Sequence, residues 1–279
     1  MSAQDYESDY NPRVAVPEYA SHFERWTRLS EEARRRMDGY LDVAYGSHPM
    51  ERMDVFRARR ASRGMLMFIH GGYWRALDKS QHSFVALPFV DNGVSVAMIN
   101  YALCPAVTLE QIVRQVLQAS AWLYRNAGNF GAPAGRLYVA GHSAGGHLTA
   151  MMLAALWPRF AADLPSKLFR AGLSISGLYD LDAVRKTPSV NADVRLDARS
   201  VRRLSPALMP PATDAPLYLA VGGKEQRGFH AQHALIKSRW AEAIAADVPC
   251  PEDNHFTILE QLGSSHSALF RTALEMTGS

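Results

Sequence analysis

A serine set between glycines is the first group in this sequence that could do chemistry. Residues 137–147 read Leu-Tyr-Val-Ala-Gly-His-Ser-Ala-Gly-Gly-His, which places Ser143 at the centre of a Gly-x-Ser-x-Gly pentapeptide. A short apolar run precedes the pentapeptide, and a segment of helical composition follows it at 148–153. Strand, tight turn and helix form the context in which a serine is held in a strained conformation with its Oγ exposed at the end of a sheet. The pattern therefore predicts that Ser143 is a nucleophile.

A serine hydroxyl is a weak nucleophile, so a base must lie within hydrogen-bond reach of it. Where a serine occupies such a turn, the chain order is serine, acid, histidine. His255 is the favoured base because it lies in a polar loop, 252–256, after the last strand signal. His266, at the start of the final helical segment, is the main alternative. His230 and His233 lie inside a helical pattern, where a surface histidine is the usual explanation.

The acid that orients the base is expected after a strand between the serine and the histidine. Glu225 follows the clearest late strand, 217–221. Asp180 and Asp182 follow the preceding strand and compete for the role. We favour Glu225 on its position, and the residues alone leave the aspartates open.

A second motif, His-Gly-Gly-Tyr-Trp at 70–74, ends a buried apolar run. This is the position of the oxyanion loop in lipases and esterases. Consecutive glycines allow backbone N–H groups to approach a substrate oxygen without interference from a Cβ atom. Gly71 and Gly72, together with the N–H of Ala144, are therefore the predicted oxyanion hole.

Composition excludes several other classes of function. The chain has 279 residues, of which 48% are hydrophobic and 20% charged, with a net charge of +3, and its basic residues form no nucleic-acid motif. Two cysteines are too few for a disulfide framework, and no histidine or cysteine cluster has zinc spacing. No metal or organic cofactor is expected. An acidic N-terminus and the absence of a long apolar run predict a cytoplasmic protein that does not bind a membrane.

Hydrophobic patterning predicts the elements that must position these groups. Residues 1–16 are polar and contain turn formers, and 17–37 form an amphipathic helix that packs on the main domain, with a lid over the site as a second role. The remaining predicted elements are an antiparallel hairpin at 40–45 and 53–57, buried strands at 65–69, 95–99, 137–140, 171–176 and 217–221, and helical segments at 81–89, 109–126, 229–246 and 265–276. Buried strands that alternate with helices predict one α/β domain, with a mostly parallel sheet between helical layers and a small cap insertion at 177–213.

These motifs resemble the hormone-sensitive-lipase-like branch of the α/β-hydrolases. Within that branch the chain is most similar to the kynurenine formamidases (arylformamidases) of the serine-hydrolase type. Four further stretches carry the similarity, which extends from about residue 10 to 275: Tyr10-Asn11-Pro12-Arg13 with Val16-Pro17, Tyr45-Gly46 with Asp54-Val55-Phe56, Gly223-Lys224-Glu225, and Asn254-His255-Phe256.

The resemblance implies the α/β-hydrolase fold and a triad of Ser143, Glu225 and His255, although many relatives carry aspartate at the position of Glu225. It implies hydrolysis of N-formyl-L-kynurenine to L-kynurenine and formate through a formyl-enzyme, with a small-molecule substrate as the partner. A carboxylesterase or another aryl-amide hydrolase is the alternative, and an inactive binding protein on the same fold is more remote. The oligomeric state stays open, with a homodimer as one option.

Three residues beside these motifs are candidates for contact with the substrate. Tyr73 and Trp74 are expected to line an aromatic pocket, and His142 to border it. Packing beneath the loop is an equal interpretation for Trp74. For His142 the other interpretation is packing against the serine turn. His147 is expected to pack against that turn.

Overall fold

A single sheet forms the centre of the protein, whose residues 2–278 are described here from a computed structural model. Its strands within those residues are β1 Gly39–Ala44, β2 Arg52–Phe56, β3 Met65–Ile69, β4 Ser95–Ile99, β5 Leu137–His142, β6 Gly172–Ile175, β7 Leu217–Gly222 and β8 Ile244–Cys250. Their order across the sheet is β1-β2-β4-β3-β5-β6-β7-β8. Strand β2 is antiparallel to both of its neighbours, and the other pairs from β4 to β8 are parallel.

Helices connect the strands and cover the sheet. The α-helices are α1 Ala3–Tyr10, α2 Pro12–Ala15, α3 Tyr19–Arg36, α4 Ala86–Asp91, α5 Leu109–Asn126, α6 Ala144–Leu153, α7 Trp157–Phe160, α8 Asp182–Arg185, α9 Pro188–Val194, α10 Ala198–Leu204, α11 Arg227–Arg239, α12 Thr257–Leu262 and α13 Ala268–Met276. Short 3₁₀ turns lie at Lys79–Gln81, Ser83–Val85, Ala127–Phe130, Pro206–Leu208 and Ala241–Ala243. Two apolar clusters separated by the sheet form the core, so the prediction of a mostly parallel sheet between helical layers is confirmed.

The long apolar runs of the sequence are the central strands. Strands β3, β4 and β5 are buried at every residue, as expected where helices cover both faces of a parallel sheet. The carboxyl ends of parallel strands lie along one edge of the sheet. The loops after β3, β5, β7 and β8, which contain the candidate catalytic groups, therefore meet at that edge.

The predicted helix at 229–246 is wrong in its second half. Helix α11 ends at Arg239, and the chain then enters β8, which pairs in parallel with β7. Trp240 ends the helix, and its indole N–H donates to the carbonyl of Met209 at 2.7 Å. Ala241 and Ala243 lie in a 3₁₀ turn, and Ala245 and Ala246 lie in the edge strand β8, because pairing with β7 outweighs local helix propensity.

The ends of the chain also differ from the prediction. Residues 1–16 contain α1 and α2, whereas the sequence predicts only a polar segment with turns. At the other end α13 begins at Ala268, after an additional short helix, α12. Residues 177–213, for which the sequence predicts a cap insertion, contain α8, α9 and α10. No helix within residues 2–278 combines the length and apolar character needed to cross a membrane.

Close packing of α6 on the sheet depends on glycine. A Cβ atom at Gly145 would lie 1.9 Å from the carbonyl oxygen of Ile69 in β3, and one at Gly141 would lie 2.2 Å from the carbonyl oxygen of Gly145. Both neighbours are backbone atoms that cannot rotate away. The first turn of α6 can lie this close to β3 only without side chains at these positions.

Gly145→Ala is therefore expected to destabilise the fold. Displacing α6 from β3 should reduce the free energy of unfolding by about 1–3 kcal/mol, the range for overpacking a tight contact. Urea denaturation measures the change, with Gly128→Ala as the matched control because a Cβ at Gly128 meets nothing within 4 Å. Equal stability of the two variants would show that α6 tolerates the side chain.

Candidate active site

Ser143 lies in the sharp turn between β5 and α6. Its backbone has φ 58° and ψ −116°, a conformation that non-glycine residues rarely adopt and that costs about 1–3 kcal/mol. The surrounding chain holds it there, since the N–H of Ser143 donates to the carbonyl of Ile175 at 2.8 Å and its carbonyl accepts from the N–H of His147 at 3.1 Å. This is the strained turn that the sequence pattern predicts.

His255 lies within hydrogen-bond distance of that serine. Its Nε2 is 3.0 Å from Ser143 Oγ, and its Nδ1 is 2.6 Å from Glu225 Oε2. An ionised carboxylate only accepts hydrogen bonds, so the imidazole proton lies on Nδ1 and Nε2 is free to accept the serine hydroxyl proton. The three side chains form one hydrogen-bonded chain, and each residue is at least 90% buried.

Glu225 is fixed through its second oxygen. Oε1 accepts hydrogen bonds from the N–H of Gly222 at 2.7 Å and from the hydroxyl of Ser176 at 2.5 Å. These donors hold the carboxylate in place with Oε2 directed at His255. Sequence reasoning missed Ser176, and its position directly after β6 is the only local signal that could have indicated it.

The rival acids and bases have other partners. Asp180 accepts the backbone N–H of Asp182 at 2.9 Å, and Asp182 forms ion pairs with Arg185 and Lys186. His233 is not a surface residue as predicted but is buried on α11, where it pairs with Asp247 of β8 at 2.9 Å. The exposed His266 lies in the turn before α13, and the half-buried His230 lies on α11. The structure therefore brings Ser143 together with His255 and Glu225.

The Gly-Gly loop after β3 lies against the serine turn. A Cβ atom at Gly71 would be 3.0 Å from the carbonyl oxygen of His142 and 3.2 Å from Ser143 Cβ. Gly72 has φ +102°, and a Cβ there would be 2.1 Å from the carbonyl oxygen of Ala76. Ala144 is the first residue of α6, so its N–H has no acceptor within the helix. Gly71 and Ala144 thus lie directly beside Ser143, and Gly72 lines the same cavity, an arrangement that suits an oxyanion hole.

A narrow cavity leads to Ser143. It is lined by Asn11, Pro12, Arg13, Phe23, Trp26, Gly72, Tyr73, Arg75, Leu77, His142, Ser143, His255 and Phe256. Tyr73 and His142 therefore border the cavity, as expected. Trp74 does not: its ring is fully buried, edge-on to the ring of His147 at a centroid distance of 5.0 Å. The prediction that Trp74 contacts the substrate is wrong, because the ring turns into the core.

The N-terminal segment forms one side of this cavity. The hydroxyl of Tyr73 donates a hydrogen bond to the carbonyl of Tyr10, and the ring of Tyr10 packs against Phe229 at 6.2 Å. From α3, Phe23 and Trp26 reach the same cavity and pack against Phe256. Sequence reasoning predicted α3 but not that the short α1 and α2 segment would contribute to the wall.

His142 holds the loop that carries the catalytic base, His255. Its Nε2–H donates to the backbone carbonyl of His255 at 2.8 Å, and the two rings lie 4.8 Å apart. Burial lowers the pKa of His142 well below its ordinary value, and the nearby His255 lowers it further. His142 is therefore neutral and holds the backbone of the loop that carries His255.

A second buried histidine makes stability depend on pH. Burial, and then the neighbouring His70, lower the pKa of His82 to about 3, while its Nδ1–H donates to the carbonyl of Asp78 at 2.9 Å. In the unfolded chain His82 has its ordinary pKa of 6.5 and is protonated below that pH. In the folded chain it stays neutral until the pH reaches about 3. Stability therefore falls as the pH is lowered through that window.

His82→Phe is expected to weaken this acid sensitivity. In the wild-type chain His82 alone should lower the free energy of unfolding by about 2 kcal/mol between pH 7 and pH 5. Urea unfolding at both pH values should show a loss smaller by that amount in the variant, which keeps an aromatic ring but cannot bind a proton. If the free energy of unfolding falls equally in both proteins, the fold does not keep His82 neutral in this pH range.

No metal site accompanies the cavity. Across residues 2–278, no three histidine, cysteine, aspartate or glutamate side chains are gathered so that they could hold a metal ion. The chemistry available at the site is that of an activated serine, a base and hydrogen-bond donors for an oxyanion, which together suit acyl transfer.

The chain is similar in sequence and in structure to several known hydrolases. Residues 53–164 match the BD-FAE family model. Kynurenine formamidase from Danio rerio is 28% identical over all of this chain and 97% of its own length. Kynurenine formamidase from Drosophila melanogaster is 31% identical, over 73% of this chain and 67% of its own. The crystal structure of a putative thioesterase from Silicibacter superposes with a TM-score of 0.85 at 31% identity, covering 97% of this chain and 98% of that one.

Proposed function

Because the chain belongs to the kynurenine formamidase family of α/β-hydrolases, and is a hydrolase of formamide or ester substrates, we propose that it cleaves N-formyl-L-kynurenine to L-kynurenine and formate. The observation that carries the mechanism is the hydrogen-bonded chain from Ser143 Oγ through His255 to Glu225. The proposed substrate is supported by relatives that are named kynurenine formamidase and match the chain over most of its length.

Formyl transfer to the enzyme is the first half of the proposed reaction. Ser143 Oγ attacks the formyl carbon while His255 Nε2 takes the hydroxyl proton, and Glu225 stabilises the imidazolium that forms. The carbonyl oxygen becomes an oxyanion that N–H groups of the Gly71-Gly72 loop and of Ala144 stabilise. The C–N bond then breaks, and the proton on Nε2 passes to the departing aryl amine. The products of this half are L-kynurenine and a formyl ester on Ser143.

Water completes the proposed reaction. His255 Nε2 takes a proton from a water molecule that attacks the formyl ester, and the same donors stabilise the second oxyanion. When that intermediate collapses, the bond to Ser143 Oγ breaks and the proton on Nε2 returns to the serine. Formate leaves, and the starting protonation state is restored.

The cavity suits a small acyl group on an aromatic amine. Its lining includes the aromatic rings of Phe23, Trp26 and Phe256, which offer apolar faces to an aryl leaving group. Gly72 and Tyr73 also line the cavity, and the side chain of Tyr73 is held by its hydrogen bond to Tyr10. A formyl group, the smallest acyl group, needs little space beside Ser143.

Hydrolysis of carboxylic esters is the second candidate function, since the Silicibacter structure is described as a putative thioesterase and ester cleavage uses the same three side chains. Measurement of kcat/KM on N-formyl-L-kynurenine and on p-nitrophenyl acetate, with Ser143→Ala as the blank, tests the choice. A large preference for the formamide supports the proposal. Rapid ester cleavage with negligible formamide turnover would contradict it and favour an esterase.

A further inference from the structure

The cavity wall has an uneven distribution of charge. Among the residues described here as lining it, the two that carry a permanent charge are Arg13 and Arg75, and no carboxylate side chain reaches its surface. Glu225 lies behind His255 with a fully buried side chain. A ligand in the cavity therefore meets positive charge, so the pairing of each arginine decides whether that charge is available.

Arg75 is already neutralised. Its guanidinium forms an ion pair with Asp193 at 2.6 Å and donates to the carbonyl of Ser189 at 2.6 Å. Both partners lie on α9, so this arginine ties the cap insertion to the Gly-Gly loop. Its side chain is 19% exposed. Arg75 therefore has a structural partner and is not available as the main anion site.

Arg13 has no such partner. Its guanidinium lies over the rings of Tyr19 and Phe23, at 5.0 Å and 5.9 Å from their centroids. In the part of the chain that the structure describes, no carboxylate lies within ion-pair distance of Arg13, and its side chain makes no hydrogen bond. A guanidinium held on aromatic faces keeps its N–H donors, which match the two oxygens of a carboxylate.

The position of Arg13 is set by the N-terminal segment. Its backbone N–H donates to the side chain of Asn11 at 3.2 Å, and the side chain of Asn11 bonds to Ser189 at 3.2 Å. Tyr10, three residues before Arg13 in the chain, accepts through its carbonyl a hydrogen bond from the hydroxyl of Tyr73 in the Gly-Gly loop. The segment that carries Arg13 is thus attached to both the cap and the oxyanion loop, and it holds the guanidinium at the mouth of the cavity.

We propose that Arg13 binds a carboxylate of the substrate and selects aryl formamides that carry one. The inference rests on the proposed function, because it names the part of the substrate that lies outside the formamide. With the formyl group at Ser143, a carboxylate at the far end of the substrate meets Arg13 across the same cavity. Arg13 is a specificity residue, and removal of its charge affects binding rather than the chemical step.

A pair of substrates that differ in one group tests this assignment: N-formyl-L-kynurenine and N-formylkynuramine, which lacks the carboxylate. Arg13→Met should raise KM for the first roughly 10- to 100-fold with little change in kcat, the range for a lost charge-assisted hydrogen bond. It should leave kcat/KM for the second within about twofold. Arg13→Lys should recover part of the loss. Arg28→Ala, which removes an exposed charge from α3 outside the cavity, is the matched control.

An equal loss on both substrates would overturn the assignment, because it would show that Arg13 only supports the wall. Unchanged kinetics on both would overturn it as well. If the wild-type protein hydrolyses neither formamide, the proposed function fails, and inhibition of p-nitrophenyl acetate hydrolysis by L-kynurenine and by kynuramine tests Arg13 separately. Stronger inhibition by L-kynurenine that is lost in Arg13→Met supports the carboxylate site, and equal inhibition by the two compounds contradicts it.

Discussion

Ser143→Ala is expected to lower kcat/KM by about 10⁴-fold or more, because it removes the atom that attacks the substrate. The variant should remain folded. Among residues 2–278, the hydrogen-bond partner of Ser143 Oγ is His255 alone, while the hydrogen bonds that hold the turn use the backbone of residue 143. Steady-state kinetics on a formamide or an ester measures the loss, and the urea midpoint verifies the fold.

The control for this change is Ser166→Ala, which removes the hydroxyl of an exposed serine outside the cavity. Its kinetics should match those of the wild-type protein. Activity retained in folded Ser143→Ala would show that Ser143 is not the nucleophile and would remove the basis of the proposed mechanism.

Glu225→Gln is expected to lower kcat by about 10⁴-fold, the effect of an amide in place of a triad carboxylate. The amide N–H₂ can donate to His255 Nδ1, and this donation moves the imidazole proton to Nε2, where it blocks acceptance of the serine proton. The Gly222 and Ser176 donors can still hold the other oxygen, so the geometry should survive. Comparison of kcat in the variant and the wild-type protein measures the effect.

Asp180→Asn is the matched control for the acid. Asp180 accepts the N–H of Asp182 within its own turn, a bond that asparagine can also accept, so its kcat should change by no more than a few-fold. The reverse ranking, with Asp180→Asn inactive and Glu225→Gln active, would assign the orienting role to Asp180.

Much of the sheet and the serine turn could be predicted because their signals are local. Strand β3 is a continuous apolar run, and α5 has a capping box at Thr108 and ends where the amphipathic pattern ends. The turn at Ser143 needs glycine at fixed positions, and contacts such as that of Gly145 with Ile69 explain why. In these places propensity, patterning and tertiary packing favour the same structure.

The sequence predicted less where long-range contacts decide the outcome. The first residues of β8, 244–246, continue a helical pattern in the sequence, and pairing with β7 makes them part of a strand. Glu225 and Asp180 both follow strands, and only the approach of Gly222 and Ser176 to one carboxylate distinguishes them. Arg13 belongs to a segment without strong periodicity, and it reaches the cavity because Tyr10 is bonded to Tyr73. No local pattern in the chain encodes these contacts.

The most direct test of the central claim is the rate at which a fluorophosphonate probe labels the protein, with and without N-formyl-L-kynurenine. We predict that the label lies on the peptide that contains Ser143 and that saturating N-formyl-L-kynurenine slows labelling strongly, because the substrate and the probe compete for the same Oγ. Labelling at another residue, or a labelling rate that saturating substrate leaves unchanged, would contradict the account.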